Sequence, residues 1–302
     1  MKYIELKVNL LKTLTDGLFE LLDSLNVEGY YEILFDSSVP KKSEQIIRDD
    51  THIYVYLNEE DLKSELSILI FLKSSSADKY FLERRSIETQ DYEASYKEFY
   101  KPFLIGEKLL LIPSWEKNSD YLKNNSIEKD IKPLYLNPGL AFGTGHHETT
   151  KLMIRRLEVI IKKGESVLDV GTGSGILSIA AGLCGASKIL AIDIDPNSVR
   201  SAETNWKENE IISSIDFTVK EGGFDHPEIA NRNFSLALAN ITFAVISGNI
   251  AEISKIKTPH FLFSGIIFEK KGSAIELFKR NLGGNMVYLE ELNEWLLIEW
   301  VR

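Results

Sequence analysis

Residues 167–175 read Val-Leu-Asp-Val-Gly-Thr-Gly-Ser-Gly, a short apolar strand that runs directly into glycines at positions 171, 173 and 175. The segment that begins at Ile176 has helical periodicity. A second apolar strand, 188–192, is followed by Asp193, about 20 positions beyond the first glycine. This order of strand, glycine turn, helix, strand and acid indicates a site for a nucleotide-type cofactor.

The alternation of strands and helices continues around this motif. Strands are predicted at 166–170, 188–192, 217–219, 234–239 and 261–263. Helices are predicted at 148–163, 176–183 and 196–209, with one more between the last two strands. Such an order predicts an α/β fold, a mostly parallel, doubly wound sheet with helices on both faces. A helix around 274–278 and two strands at 286–289 and 296–301 follow, and we expect these strands to pair as an antiparallel hairpin.

The first part of the chain mixes strands and helices without a glycine loop, which is typical of an α+β module. Strands are predicted at 2–8, 30–35, 52–57 and 80–87, helices at 11–25, 59–72 and 91–100, and a hairpin hinged at Gly106 over 103–113. Residues 116–130 are polar and charged. We therefore predict an α+β domain over 1–115, a linker over 116–132 and a cofactor-binding domain over 133–302.

The composition limits the class of protein. A length of 302 residues with 44% hydrophobic residues suits two domains, each with its own core. The net charge of −10 disfavours direct binding to nucleic acid. Cys184 is the only cysteine, so no intrachain disulfide forms. No apolar run approaches about 18 residues, and we expect a cytoplasmic monomer that does not associate with membranes.

The glycine turn and Asp193 have complementary chemical roles. Glycines let the backbone approach a ligand closely, and a carboxylate accepts hydrogen bonds from two vicinal ribose hydroxyls. The third glycine comes one position earlier than in the dinucleotide-binding pattern, and Asp169 stands where a dehydrogenase usually has an apolar residue. Asp169 is also open to interpretation as a core carboxylate that accepts hydrogen bonds from loop amides.

Residues 136–150 read Leu-Asn-Pro-Gly-Leu-Ala-Phe-Gly-Thr-Gly-His-His-Glu-Thr-Thr and predict a loop over a ligand. Thr150 falls in the first turn of the following helix, where a hydroxyl and free amides suit a ligand carboxylate. The alternative is that Thr149 and Thr150 only cap that helix. His146 and His147 have no third ligand at a suitable spacing, so we predict no metal site.

Residues 236–243 read Leu-Ala-Leu-Ala-Asn-Ile-Thr-Phe, an apolar strand that ends in Asn240. In a doubly wound sheet this strand neighbours the first one, so Asn240 is expected beside the glycine loop. Its side-chain oxygen can accept a hydrogen bond from a substrate amine. An Asn after a strand is also a common turn former, and this reading stays open.

The string 168–175 resembles the first motif of class I methyltransferases that use S-adenosylmethionine. Together with 136–150, 190–196 and 239–242, it resembles the ribosomal protein L11 methyltransferases, whose motifs read D-P-G-L-A-F-G-T-G-x-H-x-T-T, D-x-G-x-G-S-G-I-L, I-D-I-D-P and A-N-I-L. Residues 96–103, 112–115 and 294–297 are similar as well. The resemblance covers the chain well from about Asp91 and implies a seven-stranded methyltransferase sheet behind a smaller substrate-recognition domain.

The resemblance implies that Thr150, Gly171, Asp193 and Asn240 contact S-adenosylmethionine, with backbone contacts from Gly143, Thr144 and Gly173. It implies methyl transfer to lysine and/or N-terminal amines of ribosomal protein L11, with Asn240 as the catalytic residue that orients the amine. The chain departs from the family pattern at three places. They are Asn137 for Asp, Glu148 for Pro, and Thr242-Phe243 for Leu-Ala with no following Pro.

Other functions fit parts of this pattern. Phe243 would give the amine pocket a different wall, which leaves a lysine of another protein as an alternative substrate. A small-molecule amine or hydroxyl is a second alternative. An NAD-dependent dehydrogenase is disfavoured by the glycine spacing, and a cofactor-binding regulator without catalysis is supported only by the missing proline.

Overall fold

The structure is a computed structural model, and it describes residues 2–25, 27, 29–33, 50–75, 80–88, 100–117, 130–137 and 143–302. The chain divides into two compact units, Met1–Tyr100 and Lys101–Arg302. The sequence places the boundary later, at 115, but a strand at 109–113 pairs with one at 132–136 and so belongs to the second unit. Residues 118–129 of the expected linker lie outside the described residues, so that linker stays a prediction.

The first unit has the predicted α+β character. Its elements are β1 (Lys2–Leu11), α1 (Thr15–Leu25), β2 (Gly29–Ile33), β3 (Asp50–Asn58), α2 (Leu62–Ser75) and β4 (Phe81–Glu88). The strands pair antiparallel in the order β2-β3-β1-β4. The helix predicted at 91–100 falls almost wholly outside the described residues.

Alternation along β1 explains how this sheet acquires a buried face. Ile4, Leu6 and Val8 are at most 1% exposed, because every second side chain of a strand points to the same side. They pack in one apolar cluster with Leu18 of α1 and Ile68 of α2. Fully burying an aliphatic side chain contributes about 1.5 to 3 kcal/mol, so this cluster is the main stabilising feature of the unit.

The second unit begins with a small sheet of three strands. These are β5 (Phe103–Leu104), β6 (Leu109–Pro113) and β7 (Lys132–Leu136). β5 and β6 form the antiparallel hairpin that the sequence predicts, whereas β7 pairs parallel to β6 and was not predicted. Leu134 and Leu136 of β7 are fully buried. A strand this short has too little periodicity to stand out from a polar neighbourhood.

The main sheet has seven strands among the described residues. They are β8 (Ser166–Val170), β9 (Lys188–Asp193), β10 (Asp216–Glu221), β11 (Leu236–Asn240), β12 (His260–Ile267), β13 (Asn285–Leu292) and β14 (Trp295–Val301). Their order is β10-β9-β8-β11-β12-β14-β13. The five strands from β10 to β12 are parallel, and β14 lies antiparallel between β12 and β13. The predicted doubly wound sheet and its closing hairpin are both confirmed.

Helices precede and connect these strands. They are α3 (Glu148–Ile160), α4 (Ile176–Cys184), α5 (Pro196–Glu208), α6 (Pro227–Ala230), α7 (Phe243–Gly248), α8 (Ile250–Lys255) and α9 (Lys271–Leu282). The sequence predicts one helix between β11 and β12, whereas the structure has two short ones, α7 and α8, that meet at Asn249. In the described parts of the chain, no helix is long and apolar enough to cross a membrane.

Candidate functional site

The predicted site residues converge at one edge of the main sheet. Val170 lies opposite Ile192 on one side and opposite Ala239 on the other. One residue further on, Gly171 is therefore level with Asp193 and Asn240. β9 and β10 lie on one side of β8, whereas β11 and β12 lie on the other. The winding of the sheet therefore reverses at β8. Ligands of open α/β sheets bind at such a point.

The loop 171–175 has a backbone that glycine alone adopts easily. Gly171, Gly173 and Gly175 have φ angles of 75°, 54° and 82°, in the left-handed region. Gly175 is also the residue before α4, and a Cβ there would lie 3.0 Å from Cα of Ala202 in α5. Glycine thus permits both the turn and the close packing of the two helices.

Asp193 is fixed by backbone amides on two sides. The N–H of Gly173 donates to Oδ2 at 2.8 Å, and the N–H of Asp195 donates to Oδ1 at 3.0 Å. Burial raises the pKa of Asp193, while these amides act in the opposite direction. A carboxylate accepts up to about four hydrogen bonds. Acceptor capacity therefore remains for a hydroxyl-bearing ligand.

Asp169 stabilises the glycine loop 171–175. Its side chain is fully buried, and Oδ2 accepts hydrogen bonds of 2.7 Å from the hydroxyls of Thr172 and Ser178. The alternative raised by the sequence expects loop amides as the donors, whereas the donors here are two side-chain hydroxyls together with the backbone of Ser178. Within the described residues Oδ1 has no partner, and burial raises the pKa of Asp169 to about 6. Asp169 is a structural carboxyl of the loop.

The first turn of α3 presents Thr150 to Asn240. Thr150 is 2% exposed, and its Oγ1 lies 3.5 Å from Nδ2 of Asn240. The cap of α3 is His147, whose Nδ1 accepts from the Thr149 N–H at 3.3 Å. The alternative that the two threonines only cap the helix is therefore wrong. Histidine is not among the favoured N-cap residues, which is why the sequence did not predict this.

Both histidines before α3 make contacts that stabilise the fold. His146 stacks on Phe103 with ring centroids 4.4 Å apart, and burial lowers the pKa of His146 to about 4. Burial also lowers the pKa of His147, which keeps Nδ1 free to accept its hydrogen bond. The part of the chain that the structure describes contains no group of three potential metal ligands.

The described end of the loop over 136–150 contacts the glycine loop. Ser174 Oγ donates to the carbonyl of Gly143 at 2.7 Å, and Thr144 lies next to it, half-buried. Residues 138–142 lie outside the described residues. Gly143 is thus held beside Ser174, and the loop over the ligand stays a prediction.

Two residues that the sequence did not single out border the site. Ile194 is 78% exposed directly after Asp193, a position where an apolar side chain suits a flat aromatic ring. Gly265, in β12, has a φ angle of 78°. A Cβ there would overlap the carbonyl oxygen of Ile241, the residue after Asn240. Phe243 packs against the apolar core of the main sheet.

The order of the seven strands, the glycine turn after β8 and the acid at the end of β9 define a class I methyltransferase. The chain belongs to the ribosomal protein L11 methyltransferases, because residues 2–302 match the family described as "Ribosomal protein L11 methyltransferase (PrmA)".

Individual relatives agree with the family assignment. The ribosomal protein L11 methyltransferase of Leptospira interrogans is 52% identical over all of this chain and 99% of the relative. The one from Staphylococcus epidermidis is 34% identical over 92% of this chain and 86% of the relative. A crystal structure of ribosomal protein L11 methylase from Lactobacillus delbrueckii subsp. bulgaricus is 29% identical, with a TM-score of 0.58, over 67% of this chain and 99% of that one.

Proposed function

We propose that this protein transfers methyl groups from S-adenosylmethionine to lysine and/or N-terminal amines of ribosomal protein L11. One observation carries the proposal, namely the convergence of the glycine loop, Asp193 and Asn240 where the sheet winding reverses. Family membership supports methyl transfer and this substrate, since the relatives are named for it. The dehydrogenase and the non-catalytic regulator raised by the sequence are set aside on the same grounds.

The described residues fit S-adenosylmethionine. Asp193 retains acceptor capacity for the ribose hydroxyls, and the exposed side chain of Ile194 offers an apolar surface to the adenine ring. The Thr150 hydroxyl in the first turn of α3 suits the methionine carboxylate, because a helix N-terminus favours an anion. Gly171, Gly173 and Thr144 contribute backbone close to the ligand.

When bound, the cofactor supplies a sulfonium methyl group that an amine attacks in line. The chain's own contribution is to align that amine. The Asn240 side-chain oxygen accepts a hydrogen bond from the amine, while Nδ2 is held 3.5 Å from Thr150 Oγ1. A free lysine amine, with a pKa near 10.4, is almost wholly protonated at neutral pH. We therefore assign catalysis to alignment together with desolvation, which favours the neutral amine.

The remaining properties follow from this function. A ribosomal protein substrate supports a cytoplasmic location, and we propose that the enzyme acts there as a monomer. The net charge of −10 supports recognition of a protein without direct contact to nucleic acid, because phosphate binding relies on an excess of Lys and Arg.

Radiolabelled S-adenosylmethionine tests the function directly. The protein is incubated with the labelled cofactor and either purified ribosomal protein L11 or a metabolite extract. Label in L11 supports the proposal, and label only in small molecules contradicts it. Thermal unfolding with S-adenosylhomocysteine or NAD identifies the ligand independently, since only a true ligand raises the melting temperature.

A further inference from the structure

Among the described residues β7 pairs with one strand, β6, and its other edge is held by the side-chain amide of the residue directly after α5. Asn209, the residue that ends α5, accepts from the Tyr135 N–H at 2.9 Å and donates to the Tyr135 carbonyl at 2.7 Å. Its Nδ2 also donates to the carbonyl of Asn205, at 2.8 Å. An asparagine side chain carries the same donor and acceptor as a peptide group, so it can pair with a strand edge.

Asn205 repeats this arrangement one helical turn earlier. Its Oδ1 accepts from the Asn137 N–H at 2.8 Å, and its Nδ2 donates to the Asn137 carbonyl at 3.1 Å. The same Nδ2 also donates to the carbonyl of Ser174, at 2.9 Å. Both asparagines are 1% exposed, but of this pair only Asn205 reaches the glycine loop.

Ser174 completes the connection. It is fully buried, and its hydroxyl donates to the carbonyl of Gly143 at 2.7 Å. The segment that follows β7 is thus tied to the glycine loop at Asn137, through Asn205, and at Gly143, through Ser174. The two ties flank residues 138–142, which belong to the predicted loop over the ligand.

We propose that Asn205 is a positioning residue that orders the glycine loop, through Ser174, and holds it to Asn137 for cofactor binding. The inference rests on the proposed function. Removing the amide leaves the buried carbonyl of Ser174 without this donor, and an unpaired buried carbonyl is costly. A glycine loop that is ordered before the ligand arrives loses less conformational entropy on binding.

Asn209 provides the matched control, because it anchors β7 with the same pair of bonds and has the same burial. Asn205→Ala and Asn209→Ala are compared with the wild-type protein by calorimetric titration with S-adenosylhomocysteine. Both substitutions are expected to lower the melting temperature to a similar extent. Asn205→Ala is expected to weaken binding about 10-fold, or about 1.4 kcal/mol. Asn209→Ala is expected to stay within about 2-fold of the wild type, or about 0.4 kcal/mol.

Two further variants keep the test conclusive if Asn205→Ala does not fold. Asn205→Asp retains the acceptor for the Asn137 N–H and loses the donor to the carbonyls of Ser174 and Asn137, while Ser174→Ala removes the bond to Gly143. Both are expected to raise the KM for S-adenosylmethionine and to leave the KM for the methyl acceptor unchanged.

Equal binding losses in Asn205→Ala and Asn209→Ala would overturn the positioning role, as would wild-type affinity in both Asn205→Asp and Ser174→Ala. Failure of the proposed function looks different, because the wild-type protein would then bind no S-adenosylhomocysteine at all.

Discussion

The backbone N–H of Gly173 donates a hydrogen bond of 2.8 Å to Oδ2 of Asp193. The contact joins the loop after β8 to the end of β9 and fixes the orientation of the carboxylate. A second amide, from Asp195, fixes the other oxygen. The acid therefore needs little reorientation when a ligand binds, which reduces the entropic cost of binding.

Asp193→Asn tests the acid at this position. An asparagine has one acceptor oxygen in place of two, so an amide of Gly173 or Asp195 would face an NH2 group. We expect the Kd for S-adenosylhomocysteine to rise by about 10- to 100-fold, because hydrogen bonds to a charged group contribute about 1.5 to 3 kcal/mol. Asp216→Asn, an exposed residue at the start of β10, is the control and should bind as the wild type does. Equal affinities for both variants would contradict the role of Asp193.

Asn240→Ala tests alignment of the amine. Loss of a preorganised polar contact in a transition state typically lowers kcat by about 100- to 1000-fold. We expect a fall of that size in single-turnover methylation of ribosomal protein L11, larger than the change in cofactor affinity. Asn281→Ala in α9 removes an exposed amide that bonds only within its helix, and it should keep the wild-type rate. An unaltered rate in Asn240→Ala would exclude Asn240 as the orienting group.

Gly171 and Gly265 constrain the residue after Asn240 from two neighbouring strands. A Cβ on Gly171 would overlap Cγ2 of Ile241, whereas one on Gly265 would overlap the carbonyl oxygen of Ile241. Both φ angles are positive, so each substitution by alanine also strains the backbone. We expect each to destabilise the fold by about 1 to 3 kcal/mol in urea unfolding.

The chemical nature of each overlap predicts how a second substitution acts. Ile241→Ala removes Cγ2, so it should recover part of the loss in Gly171→Ala. The overlap at Gly265 involves backbone, and no recovery is expected there. A double-mutant cycle measures the two coupling energies. Equal coupling energies in the two pairs would show that these overlaps do not determine how much each glycine substitution lowers the free energy of unfolding.

Asp169 predicts a pH dependence of stability. Its pKa is raised to about 6 by burial, from an ordinary value of 3.8. Between these two values the folded protein binds more protons than the unfolded one, so this carboxyl lowers stability as pH rises from about 4 to 6. Above pH 6 its effect is constant.

Asp169→Asn isolates this contribution. The free energy of unfolding of the wild type minus that of the variant should fall by about 2 to 3 kcal/mol between pH 4 and 6. The subtraction removes the effect of His146 and His147, whose lowered pKa values give the opposite slope. A difference that does not change over this range would contradict a raised pKa for Asp169.

Local patterns predicted the main sheet well. The segment from β8 through α4 to β9 combines period, glycine turn and terminal acid within a few tens of residues, so each signal supports the next. Asn240 was predicted beside the glycine loop because parallel strands bring their carboxyl ends to one edge of the sheet. Residues without local periodicity were missed, among them β7 and the exposed Ile194.

Contacts between distant segments account for most of what the sequence did not predict. Gly265 beside Ile241, and Asn205 between Asn137 and Ser174, each depend on residues far apart in the chain. An Asn in the middle of a helix reads locally as a weak helix former. Its role becomes visible only when a strand edge and a loop lie within hydrogen-bond distance.

By itself, the sequence determined the doubly wound sheet, the glycine turn and the acid after the second strand, because these follow from side-chain period and from backbone angles that glycine favours. Tertiary structure alone decided how the loops around the site are held to one another. Those loops are fixed by hydrogen bonds from side chains that are distant in sequence, and a pattern of neighbouring residues carries no information about such partners.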